Sequence, residues 1–136
     1  MENQFVPYPI ALDLKELGFD EPCFGYFNEK RMLMQFLHNV FYNKNSEIAY
    51  ARNIKYLFRK EAVYKLMCTA PLWQQVIDWC DSKGLLVGTI IVDIDKFKSE
   101  IKSINYEGGI FNTRHESIRN AIEFAICYLQ NNKPVD

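Results

Sequence analysis

Residues 113–129 constrain this fold more than any other stretch. Thr113-Arg114-His115-Glu116 fits the S/T-x-x-E capping box, in which each side chain satisfies a free backbone donor of the other. Behind it, Ile118, Ala121, Ile122, Ala125, Ile126 and Leu129 recur at helical spacing and give a broad apolar face. A helix with such a face needs a second layer to bury it. The chain supplies one just upstream. Leu85 to Ile94 is rich in valine and isoleucine and reads as a strand. Phe97 to Ile104 alternates in an imperfect period of two, which suits a half-exposed antiparallel strand. The last helix is therefore expected to lie across a sheet. Gly108-Gly109 between them reads as a flexible corner.

The earlier elements follow from local signals. Pro7 and Pro9 open a short helix over Ile10–Leu17, and Gly18 is placed to supply a left-handed C-terminal cap. Cys23 to Phe27 reads as extended, Asn28-Glu29-Lys30 as a turn, and Arg31 to Leu37 as the returning strand. Asn43 to Ser46 is turn-like. Glu47 to about Lys60 has helical spacing, with Tyr50, Ile54, Leu57 and Phe58 on one side. Ala62 to Met67 either extends that helix or forms a strand, and a strand is favoured. Thr69-Ala70-Pro71 precedes a helix over Leu72–Cys80, with Thr69 or Ala70 at its cap and Pro71 in its first turn. Leu72, Val76 and Trp79 or Cys80 fall on its apolar stripe, and Gly84 ends it. The expected class is α+β: an antiparallel sheet of about four strands in two hairpins, packed by N-terminal, central and C-terminal helices. Residues 1–136 are expected to form a single globular domain, since 136 residues suit one core.

Composition narrows the function classes. Hydrophobic residues make up 49% of the chain and aromatics 15%, enough for a real core and unlike a disordered segment. The net charge of −1 gives no global field toward nucleic acid or anionic membrane. No apolar run approaches the ~18 residues of a membrane span. Cys23, Cys68, Cys80 and Cys127 make no Cys-x-x-Cys pair, and neither histidine lies at ligand spacing from them, so no metal or cofactor is expected. Each cysteine has apolar neighbours and reads as a buried reduced thiol. With no basic and apolar leader at the start, the cytoplasm is the expected compartment.

Four blocks carry a resemblance: Phe5-Val6-Pro7-Tyr8, Leu17 to Cys23, Thr69 to Trp79, and Tyr106 to Arg114. In this order they resemble a family of small proteins of Bacteroidetes and of their phages and prophages. The likeness runs from end to end and is weakest between His38 and Lys65. It implies a phage or mobile-element origin, and it brings no activity, cofactor or catalytic residue with it.

Three features carry candidate chemistry. Asp93-Ile94-Asp95-Lys96-Phe97-Lys98 is similar to the Asp-Ile-Asp-x-Phe-Lys signature of palm-type diguanylate cyclases, and carboxylates at i and i+2 of a strand share a face that can hold Mg²⁺. Those enzymes also carry a Gly-Gly-Asp/Glu-Glu-Phe hairpin. Here Gly108-Gly109 leads into Ile110-Phe111, so that half is missing, and a solvated strand end or turn is the favoured reading. Residues 44–65 hold six basic and two acidic residues, net +4, against ten basic and fifteen acidic elsewhere, net −5. If this segment is helical, Arg52, Lys55 and Arg59 share a face, with Tyr56 and Lys60 near it; an ordinary solvated helix face is the favoured reading, and a site for a phosphate, a nucleotide or nucleic acid is the alternative. Trp73 and Trp79 lie six apart and so occupy different helical faces. Core packing of both is the default reading, and the alternative puts one of them at a surface or subunit interface. His115 sits in the first turn of the last helix, where capping already explains its neighbours. His38 has no identifiable partner in the sequence.

These features favour a small non-catalytic accessory protein that sequesters or blocks a host factor or a nucleotide signal. The alternatives are a nucleic-acid-binding module using residues 44–65 and an enzyme of unrecognised type. Candidate partners are a nucleotide or nucleic acid, a host protein, and further copies of the chain. Self-association is expected from the high apolar content and the broad face of the last helix.

Overall fold

A computed structural model describes residues 4–35, 45, 54–55, 63–64 and 66–132. The chain divides into two compact units, Met1–Gln75 and Val76–Asp136.

The first unit opens with helix α1 (Tyr8–Glu16), whose N-cap is Pro7. Ile10, Ala11 and Leu14 form its buried stripe, each large aliphatic contributing about 1.5–3 kcal/mol when fully buried. The predicted cap at Gly18 is present, with φ +92°. Phe19 N donates to Leu14 O at 2.9 Å and Gly18 N to Lys15 O at 3.1 Å. This Schellman closure brings Phe19 and Leu14 together, both buried. β1 (Gly25–Asn28) and β2 (Leu33–Gln35) form the expected hairpin. Its turn is tied by Asn28 Oδ1, which accepts from Lys30 N at 2.9 Å and Met32 N at 3.0 Å. Two further short strands, β3 (Ile54–Lys55) and β4 (Val63–Tyr64), pair antiparallel with each other. β5 (Leu66–Ala70) pairs with β1, so the sheet order is β2-β1-β5, antiparallel throughout. As the central strand, β1 is buried at all four positions.

α1 packs against β5, and Lys15 Nζ donates to Met67 O at 2.6 Å. Asn45 is buried. Its Nδ2 donates to Phe19 O at 2.7 Å, and its Oδ1 accepts from Thr69 N at 2.9 Å. One side chain thus satisfies two backbone groups that have left water.

Helix α2 (Trp73–Ser82) starts one residue later than expected. Thr69 and Ala70 belong to β5, so neither is the cap. Instead Gln75 Oε1 reaches back to accept from Leu72 N at 2.9 Å, which is half of a capping box. Val76, Trp79 and Cys80 are its buried residues. The helix ends as α1 does: Leu85 N donates to Cys80 O and Gly84 N to Asp81 O, both at 2.9 Å, with Gly84 at φ +81°.

In the second unit β6 (Val87–Asp93), β7 (Lys96–Ile101) and β8 (Tyr106–Phe111) form a three-stranded antiparallel meander in that order. A 3₁₀ turn, Lys102–Ile104, and left-handed Asn105 (φ +56°) join β7 to β8. Helix α3 (Arg114–Asn131) lies on this sheet and contacts all three strands. Thr113 Oγ1 accepts from Glu116 N at 3.1 Å, the predicted cap. Ala121, Ile122, Ala125 and Ile126 are buried as expected, and Ser117 joins them.

The class is α+β with antiparallel strands and three helices among the described residues. The strands fall into sheets of three, two and three rather than one sheet of about four. Two readings account for the difference. Ile54–Lys55 is extended where a helix was expected. Gly108-Gly109 lies inside β8 instead of forming a corner. Gly108 faces α3 so closely that a Cβ there would press on Ser99 Oγ, 2.5 Å from Asn120 Oδ1 and 2.8 Å from Tyr106 Oη. Its requirement is space. Gly108→Ala is therefore expected to destabilise the protein by about 1–3 kcal/mol. Gly109→Ala, whose Cβ would find its nearest neighbour at 3.9 Å, is expected to cost much less. Urea denaturation midpoints of the two variants test this.

Cys23, Cys68 and Cys80 are buried, but Cys127 is exposed on α3, against expectation. Burial pushes the Cys23 thiol up to about 11 and those of Cys68 and Cys80 up to about 12. A raised acid binds its proton more tightly in the folded state, so this stability is present below the unfolded value of 9.0. It is lost as the pH climbs from there toward 12. Native thiol titration at neutral pH is expected to find Cys127 reacting quickly and the other three only on unfolding. Unfolding free energy is expected to fall above about pH 9, and less steeply in Cys80→Ala.

Candidate functional site

Among the described residues, the largest exposed aliphatic cluster lies on the second unit's sheet, at the end that carries the β6–β7 turn. The side chains of an antiparallel ladder alternate between faces, and directly opposed residues share one. The α3 face is marked by Thr89, whose Oγ1 lies 2.5 Å from Ser117 Oγ. Ser99 Oγ and Tyr106 Oη mark it too, donating to Asn120 Oδ1 at 2.7 and 2.9 Å. The opposite face therefore carries the rows Ile90–Lys98–Ile110 and Gly88–Glu100–Glu107. Ile110 is 60% exposed there, and Ile90 is exposed as well. Nearer the turn, Ile91 is 64% and Ile94 85% exposed, with Val92 between them also exposed.

The charges around this cluster are an internal ion pair on the open face and Asp93, Asp95 and Lys96 at the turn. Lys98 Nζ bridges Glu107 Oε2 at 2.8 Å, and that hydrogen bond and charge hold the Glu107 carboxyl below its ordinary range. Both groups are substantially exposed, so the pair adds little stability. Its effect is local neutralisation between two isoleucines.

The sequence-predicted residues distribute as follows. Arg52, Tyr56, Arg59 and Lys60 lie outside the described residues. Lys55 is described through its backbone alone, which is extended in β3. The face shared by Arg52, Lys55 and Arg59 was expected only if the segment is helical, and of the three Lys55 alone is described, in β3. Trp79 is buried, with Lys83 Nζ 5.4 Å from its ring centroid, and Trp73 is half-buried. Asp93 is the last residue of β6, and its Oδ1 accepts from Ile94 N at 2.7 Å. Asp95 lies beyond it in the turn at φ +59°. The two carboxylates therefore flank a chain reversal and do not line one strand face. No group of three or more metal-ligating side chains comes together among the described residues. His115 is exposed in the first turn of α3, and His38 lies outside the described residues. No helix among the described residues is long and apolar enough to cross a membrane.

The aliphatic cluster went unread in the sequence because Ile90-Ile91-Val92 has the composition of a buried strand. The signal was available nonetheless. A continuous apolar run presents both faces of a strand, and the sequence around it offers one helix to cover one of them. No family model, no curated protein and no solved structure matches this chain.

Proposed function

We propose that this chain is a small non-catalytic accessory protin of phage or mobile-element type, which works in the cytoplasm by binding and blocking another protein. The observation that carries the reading is the aliphatic end of the β6–β7–β8 sheet. Contiguous exposed aliphatics mark contact surfaces, since each one left in water forgoes about 1.5–3 kcal/mol of burial. The internal Lys98–Glu107 pair supports the same reading. It neutralises the charge between Ile90 and Ile110, while Asp93 and Asp95 border the cluster at the turn, an apolar patch with a charged rim.

Affinity capture from the native host tests this. Wild-type protein and an Ile91→Lys plus Ile94→Lys variant are compared under identical conditions. A partner held by the wild type and lost from the folded variant is the expected result. Equal capture by both, or by neither, rejects the aliphatic end as the contact surface.

The positive charge of residues 44–65 supports a second reading, contact with nucleic acid or a nucleotide phosphate. On that reading, binding weakens steeply with salt, and Arg52→Glu plus Arg59→Glu abolishes it. Salt-independent binding, or an unaffected double variant, rejects it.

A further inference from the structure

We draw no further inference here: the strongest candidate, the exposed aliphatic patch of Ile90, Ile91, Val92, Ile94 and Ile110 at the β6–β7 turn end of the second unit's sheet, belongs to the site already described, and nothing in the structure shows what covers it.

Discussion

The hydrogen bonds that Asn120 Oδ1 accepts from Ser99 and Tyr106 set how closely α3 lies on its sheet. They join the helix to β7 and β8 through one atom. Lifting the helix would strand two hydroxyls and an amide, each costly to leave unpaired when half-buried. One turn before, Ser117 and Thr89 tie the helix to β6. One turn after, Phe124 stacks on Tyr106 with ring centroids 3.7 Å apart. The helix is therefore docked along a line of directional contacts beside its aliphatic stripe. That line fixes rotation as well as depth, which a purely apolar face does not.

The sequence made legible whatever was local. The cap at Thr113, the left-handed residues at Gly18 and Gly84, and the apolar stripe of α3 each depend on residues within a few positions of one another. Cys23–Phe27, the Asn28 turn and the returning strand were readable for the same reason. What was lost depended on distant partners. Gly108 resembled a corner because its reason for being glycine lies across the sheet in Ser99 and twelve residues on in Asn120. Asn45 looked like one of several turn residues, yet it bridges Phe19 and Thr69, which are 50 positions apart in the sequence. Cys127 shared its apolar neighbours with the buried cysteines, and only the helix phase set it outside. The aliphatic cluster belongs with these, since exposure is a property of what a strand lacks beside it.

The sheet of the second unit is asymmetric in both its faces and its edges. One face is closed by α3 and fastened with hydroxyls. The other is open, with a neutralised ion pair between two isoleucines. The β8 edge carries Gly108, Gly109 and Glu107, while the β6 edge carries Gly88, shifts register between Ile91 and Asp93, and is otherwise largely aliphatic. Exposed β-structure of the second sort is ordinarily suppressed in proteins, because it promotes indiscriminate association.

The twin closures of α1 and α2 have a consequence for how the chain acquires its shape. Each uses bonds spanning only four to six residues, and in each a glycine turns the backbone so that the next residue packs on the last turn. Such contacts close short loops, and short loops cost the least entropy to form. Both helix stops are thus set by their immediate surroundings and need neither the pairing of β1 with β5 nor the docking of α3. An exchange of the flanking segments, or a longer connection grafted after Phe19 or Leu85, would leave these punctuation marks in force. The chain carries its own reading frame for where its helices end.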